Sequence, residues 1–308
     1  MAINSINSVT PPYLQKGDVV EIIAPAKFVS NKDIDDAIQI IEKSGFKIKI
    51  SQSLFNQHHV FSGTIKERKN NLQSALDNPE TKAIIFARGG YGSIQIIDQI
   101  DFTIFAKKPK WLIGFSDITT ILLHIQTRYN IQSIHGPMLY NFPKTGSIYI
   151  SQLFHILKGD VNNIESTTHK LNKFGTHEGK LIGGNLSILC SLMCSSSFNT
   201  ISHDVILFLE DVDEYLYHIE RMIHTLDRSG LLKNLKGLIV GEMANMLDNE
   251  IPFGKNVYEL IYDITKKYDY PICFNFPIGH SHNNHPIVLG SHITLDVKEN
   301  YSKIIYKR

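Results

Sequence analysis

Residues 108–128 read KPKWLIGFSDITTILLHIQTR. An apolar run, Trp111-Leu112-Ile113, meets a tight Gly114-Phe115-Ser116-Asp117, and a helical pattern follows at once. That order spells a strand, a sharp turn and a helix, with a serine in the turn. A serine held there presents its hydroxyl beyond the strand end, close to the positive N-terminus of the helix. A plainer role is equally open: Ser116 or Asp117 as the N-cap of a helix beginning near Ile118.

The same alternation extends outward. Upstream, residues 18–26 (DVVEIIAPA) form a buried strand ending at Pro25, and a helix follows with a Ser30/Asp33 capping box and Gly45 at its end. Residues 47–51 are a second strand, and 66–77 a helix that stops before Pro79. Residues 83–87 (AIIFA) are a third strand running into Arg88-Gly89-Gly90-Tyr91-Gly92, with a short helix over 93–100 behind it. Downstream, a strand over 131–134 ends at His135-Gly136-Pro137. Strands that are apolar throughout, separated by helices, indicate a parallel sheet covered on both faces. Ligands of such sheets bind beyond the C-terminal strand ends.

At 308 residues, 43% hydrophobic and 20% charged, the chain has material for two domains with sizeable cores. A net charge of +1 without a basic block argues against a nucleic-acid partner. The N-terminal stretch MAINSINSVTPPYLQKGD lacks the basic and apolar regions of a signal peptide, and no apolar run is long enough to span a membrane. Three cysteines cannot all pair, and Cys190 and Cys194 sit in an apolar run. These features point to a reducing, cytoplasmic compartment.

The composition shifts to Ser, Thr, Asn, Lys and Gly around 141–176. The expected organisation is an N-terminal α/β domain over 1–145, a connection over 146–176 with a helix near 152–157, and a C-terminal domain over 177–308. The second half opens with EGKLIGGN (178–185) and an apolar helix through Met193. A strand over 205–209 (VILFL) breaks into Glu210-Asp211-Val212-Asp213-Glu214, and a helix follows over 215–226. Further strands are expected at 238–240, 272–276, 293–297 and 304–306, with a helix at 257–268.

Three features could carry chemistry besides Ser116. The glycines at 89–92 let backbone N–H groups approach a ligand oxygen, as a phosphate cradle, an oxyanion hole or a tight turn only. Neither GxGxxG nor a Walker pattern accompanies them. Glu210 directly follows five apolar residues, which places a carboxylate at a strand end; Asp213 and Glu214 suit the N-terminus of the next helix. His280 follows Phe276-Pro277-Ile278-Gly279 in a loop with His282 and His285. Three histidines raise a metal, but no HExxH or cysteine partner is present, and a single base at a strand end suits His280 better. A serine needs an imidazole to take its proton and a carboxylate to hold that imidazole, and Ser116, Glu210 and His280 supply the three in the order Ser…Glu…His. GFSDI departs from G-x-S-x-G at its last position.

Taken in order, GDVVEIIAPA, ARGGYG (87–92), GFSDIT (114–119), HGPM (135–138), EGKLIGGNLSIL (178–189), LFLEDVDE (207–214), HIERMIHTLDRSG (218–230) and FPIGH (276–280) resemble the LD-carboxypeptidase family of serine peptidases, which includes microcin C immunity-type peptidases. The resemblance covers nearly the whole chain. It implies a glutamine-amidotransferase-like N-terminal α/β domain and a smaller, β-rich C-terminal α/β domain, with the active site between them. It further implies Ser116 as nucleophile, His280 as base, Glu210 as orienting acid, and the backbone N–H groups of Gly90 and Asp117 as oxyanion donors. A homodimer without metal or cofactor is implied as well. The stretch after His280, SHNNHPIVLG, is close to the family's pattern without matching it.

The implied reaction releases the terminal D-Ala of a murein tetrapeptide by hydrolysis of an L,D amide, in cytoplasmic peptidoglycan recycling. Arg88, with Gly89 beside it, is the candidate to receive the substrate carboxylate; a surface or interdomain ion pair is its plainer role. The nearest alternative is an immunity-type peptidase that cleaves an aminoacyl-nucleotide amide. Such an enzyme is expected to carry aromatic contacts for a base, and the only tryptophan is Trp111, inside an expected strand. A non-catalytic peptide-binding protein is the alternative from another class.

Overall fold

Strand-forming apolar runs and capped amphipathic helices alternate along the chain as their sequences dictate. The computed structural model describes residues 8–198 and 204–307, so the first seven residues of the N-terminal stretch read above lie outside it. The elements are β1 (Val19–Ile23), α1 (Asn31–Lys43), β2 (Lys47–Ile50), α2 (Ile65–Asp77), β3 (Thr81–Phe86), α3 (Thr103–Lys107), β4 (Trp111–Gly114), α4 (Thr119–Tyr129), β5 (Ser133–His135) and α5 (Ser147–Leu157). There follow β6 (Ile164–Thr167), β7 (Gly175–Asn185), α6 (Leu186–Leu192), β8 (Val205–Val212), α7 (Leu216–Arg228), β9 (Leu235–Ala244), α8 (Val257–Thr265), β10 (Ile272–Cys273), β11 (Ile287–Leu289), β12 (His292–Val297) and β13 (Tyr301–Tyr306). Among the described residues no helix is long and apolar enough to cross a membrane.

The chain divides into two units. One runs to Val161 and takes back Pro286–Val288; the other holds Asn162–His285 and the chain from Leu289 onward. The boundary leaves α5 with the first unit and β6 with the second, both within the stretch expected as a connection.

The first unit is built on a six-stranded sheet in the order β11-β5-β4-β3-β1-β2. β2, β1, β3, β4 and β5 run parallel, and the central β4 is buried throughout, as expected of a sheet covered on both faces, whereas the edge strand β2 alternates Lys and Ile and is largely exposed. Trp111, Leu112 and Ile113 of β4 are fully buried. On α1 the apolar stripe Ile34, Ala37 and Ile41 faces inward, each isoleucine contributing roughly 1.5–3 kcal/mol of burial. The expected box at its start forms, with the Asp33 carboxylate accepting from the Ser30 N–H at 2.8 Å.

The second unit carries a seven-stranded mixed sheet, β10-β9-β8-β7-β12-β13-β6. β10, β9, β8 and β7 are parallel to one another, whereas β12, β13 and β6 extend the sheet antiparallel. Two expectations are corrected. Residues 93–100 form two short 3-10 turns, Ser93–Gln95 and Ile97–Gln99, because a glycine at φ 142° precedes them and no stable helical stripe follows. Residues 274–276, expected to continue β10, leave the sheet, with Asn275 at φ 54°. The EGKLIGGN motif, to which the sequence assigned no element, lies within an eleven-residue strand, β7, whose glycines mask its β-character.

Candidate active site

Ser116 stands directly beyond the C-terminal end of β4, at φ 59°. Phe115 before it is fully extended, and the chain then turns through a 3-10 segment, Ser116–Ile118, into α4. A left-handed conformation costs a non-glycine residue roughly 1–2 kcal/mol and is retained where surrounding packing enforces it. The N-cap reading of this stretch fails: Ile118 is the cap position of α4 and no side chain caps it. The Asp117 carboxylate instead accepts from the Ser93 N–H at 3.0 Å.

The glycine turn lies against the serine. A Cβ added to Gly89 would sit 3.4 Å from Ser116 Cβ and 3.1 Å from Met138 Cε, so the turn is pressed onto Ser116. Gly90 follows in the left-handed region at φ 103° and is exposed. Arg88 donates Nη1 to Phe28 O at 3.0 Å and stacks its guanidinium 4.2 Å above the Tyr140 ring, and it forms no ion pair among the described residues. Asp117 is 1% exposed. Burial raises its carboxyl pKa, and the Ser93 hydrogen bond and the Arg68 charge offset this only in part.

Sequence reasoning missed Arg68, which is also 1% exposed. Its Nη1 donates to Pro25 O at 2.9 Å and Gly92 O at 3.0 Å, and its Nη2 to Gln95 Oε1 at 2.6 Å. The signal was available: Arg68 occupies the same face of α2 as the buried Leu72, Ala75 and Leu76, at spacings of four, seven and eight.

In the second unit, Glu210 lies within β8, 0% exposed; the strand expected to end at Leu209 continues through Glu210 to Val212, because the acidic residues still pair with β7 and β9. The pairing of β8 with β9 skips a residue between Leu209 and Asp211, opening β9 at Gly241–Glu242. That bulge receives the loop before His280, with the Glu242 N–H donating to Ile278 O at 2.9 Å. Asn284, buried and passed over in the sequence reading, accepts from the Gly279 N–H at 3.2 Å, and the His285 N–H donates to Pro277 O at 3.1 Å. The loop is thereby held on both sides.

Glu210 Oε2 lies 2.6 Å from His280 Nδ1. A carboxylate accepts, so Nδ1 carries the proton and the tautomer with a basic Nε2 is selected. Burial alone pushes the imidazole pKa down, but the Glu210 charge and hydrogen bond, with Asp211 and Glu242 adding, outweigh it, and the net direction is up. Asp211, held by Asn185 Nδ2 and the Ser187 N–H at 2.9 Å each, is pushed up to about 7 by burial and then by Glu210. Asp213 and Glu214 do not cap α7: Tyr215 is its cap position, without a side-chain bond, and Glu214 pairs with His218 one turn on.

His282 is exposed, and His285 is half-buried with its pKa lowered to about 4 by burial. Among the described residues no three His, Cys, Asp or Glu side chains gather as a ligand set for a metal. A cavity of about 730 Å³ in the first unit is lined by Asp18, Thr81 and Lys110, at the starts of β1, β3 and β4. It therefore lies at the opposite strand ends from Ser116.

The first unit thus holds a serine at φ 59° after a parallel strand with a glycine turn against it, and the second holds a buried Glu–His pair of defined tautomer. The chain belongs to the LD-carboxypeptidase family: the family's N-terminal domain matches residues 20–136 and its C-terminal domain residues 178–295. A probable murein peptide carboxypeptidase of Bacillus subtilis is 31% identical, over 94% of this chain and 92% of its own. The crystal structure of muramoyltetrapeptide carboxypeptidase from Oxalobacter formigenes superposes with a TM-score of 0.86 at 25% identity, covering 94% of this chain and 99% of that one. The microcin C7 self-immunity protein MccF of Escherichia coli is 24% identical over 89% of this chain and 88% of its own.

Proposed function

We propose that this protein is a serine LD-carboxypeptidase that removes the terminal D-Ala from a murein tetrapeptide. The observation that carries the reading is the fully buried Glu210 bonded at 2.6 Å to His280, which leaves a basic Nε2 on a histidine after a strand end. The left-handed Ser116 and the names of the relatives support it.

In this mechanism Ser116 Oγ attacks the carbonyl of the L,D amide while His280 Nε2 takes its proton. Glu210 stabilises the imidazolium, consistent with the raised imidazole pKa. The backbone N–H groups of Gly90 and Asp117 receive the oxyanion. His280 returns the proton to the departing D-Ala nitrogen, leaving the tripeptide esterified to Ser116. Water, deprotonated by His280, then releases the tripeptide and restores the serine. Arg88, with donors beyond the one on Phe28, is the proposed receiver of the terminal carboxylate, beside Gly89. A cytoplasmic homodimer serving peptidoglycan recycling completes the proposal.

Trp111 is 0% exposed, donates to Pro12 O at 3.1 Å and stacks on Tyr13, so it is not offered to a nucleobase. This favours the peptide over the aminoacyl-nucleotide as substrate. The test incubates the protein and its Ser116→Ala variant with murein tri-, tetra- and pentapeptide and reads products by mass. Loss of one alanine from the tetrapeptide alone, absent in the variant, is expected. No cleavage of the tetrapeptide, with hydrolysis of an aminoacyl sulfamoyl adenosine, would replace this substrate with the nucleotide one.

A further inference from the structure

A buried arginine is expensive unless its donors are met, and the two Nη groups of Arg68 are met on three separate segments, while its buried Nε has no hydrogen-bond partner among the described residues. Pro25 lies two residues beyond β1, Gly92 closes the glycine turn, and Gln95 lies in the 3-10 turn behind it. The Phe61 ring covers the guanidinium at 4.6 Å.

The carbonyl of Gly92 and the N–H of Ser93 belong to one peptide unit. Arg68 Nη1 holds its oxygen at 3.0 Å, and Asp117 Oδ2 holds its nitrogen at 3.0 Å. One peptide is thus clamped between a buried cation and a buried anion, and the attraction between Arg68 and Asp117 acts through it. The peptide dipole lies along that field, which strengthens both bonds in a low dielectric. Gly92 is required for the fit: at φ 142° a Cβ would lie 2.7 Å from Arg68 Nη1.

We propose that Arg68 is the positioning residue of the oxyanion hole. It fixes the glycine turn to Asp117 and so sets the spacing of the Gly90 and Asp117 N–H groups. The inference rests on the reading of those two groups as oxyanion donors. Arg68 touches no reacting atom; it acts through the Gly92–Ser93 peptide.

The experiment compares Arg68→Lys, Arg68→Met and Gly92→Ala with wild type on murein tetrapeptide, with melting temperatures recorded alongside. Substrate affinity is measured separately by adding each change to Ser116→Ala. A displaced oxyanion donor is expected to lower kcat by roughly 10²–10³-fold. KM, and the Kd in the Ser116→Ala background, should stay within about threefold, because ground-state binding does not use the hole. A purely structural arginine would lower melting temperature and folded yield while leaving the kcat of the folded fraction unchanged, and that result overturns the proposal. So does an equal loss in Kd and kcat/KM. If Arg68→Met does not fold, Arg68→Lys decides, since it keeps the charge but lacks the fork that reaches Pro25 O, Gly92 O and Gln95 Oε1 together; full kcat there overturns the proposal. Wild-type cleavage that Ser116→Ala abolishes but the Arg68 variants retain sinks this inference alone. Wild type inert on the tetrapeptide sinks the functional reading and this inference together.

Discussion

Replacing Glu210 by Gln tests the charge behind the proposed base while conserving shape. Glu210 is 0% exposed and its Oε2 stands 2.6 Å from His280 Nδ1, so no water replaces the lost charge. An anion and an imidazolium about 4 Å apart in an effective dielectric near 20 attract by about 4 kcal/mol, which corresponds to roughly 10³-fold in rate. A glutamine amide that donates to Nδ1 also favours the opposite tautomer, with a proton on Nε2, and in serine triads that change alone reaches about 10⁴-fold. The expected fall in kcat/KM is therefore roughly 10³–10⁴-fold. The pH profile supplies a second readout. His280 must be neutral to act, and Glu210 helps raise its pKa, so activity rises with pH through that elevated value. Removing the carboxylate should move the acid limb to lower pH. Initial rates on murein tetrapeptide between pH 5 and 9 measure both. A variant within about tenfold of wild type, with its acid limb in place, would refute the reasoning.

Other expectations concern stability. Ser116→Gly should abolish activity yet raise the melting temperature by roughly 2–4 °C, since glycine accepts φ 59° without the strain of about 1 kcal/mol; an unchanged or lower melting temperature would count against strain at this turn. Gly183→Ala should prevent the second unit from folding, because its Cβ would lie 1.9 Å from Phe208 O on the adjacent strand, and soluble protein with wild-type circular dichroism would contradict this. His124, stacked on Phe102 and buried, has its pKa lowered to about 4 by burial and by Arg128. Its neutral form is favoured in the fold, so stability is intact above the unfolded value near 6.5 and declines as pH falls toward about 4, by at most about 3 kcal/mol. His124→Leu should flatten the difference in urea midpoint between pH 7.5 and 4.5; an undiminished difference would place the acid sensitivity elsewhere.

The parallel sheet was legible because β4 and the apolar stretches of β1 and β3 do not alternate, and the helices because α1 opens on a capping box and α2 stops before Pro79. Where backbone freedom decides, the reading weakened. β7 hides behind five glycines and asparagines, and the segment after Gly92 has helical composition but enters from a φ of 142° that breaks the ladder. Ser116 was legible as a residue beyond a strand end, since a polar group after a buried run has one place to go; Glu210 was read the same way, but β8 continues past it to Val212. Arg68 was missed although its spacing to Leu72, Ala75 and Leu76 put it on the buried face of α2: a charged side chain reads as solvent-facing until the three distant oxygens around it are seen. Likewise the acidic run after β8 looked like a helix cap by charge, while the local geometry gave Glu214 to His218 and left Tyr215 at the cap position.

The central claim is that Ser116 carries the peptide during turnover. Murein tetrapeptide mixed with the protein, quenched in acid within the first turnover and digested, allows the Ser116 peptide to be weighed directly. The account predicts an adduct on Ser116 with the mass of the tetrapeptide less one free alanine (the tripeptide less one water), absent from Ser116→Ala. Release of alanine at an undiminished rate by Ser116→Ala, or an adduct on another residue, would contradict it.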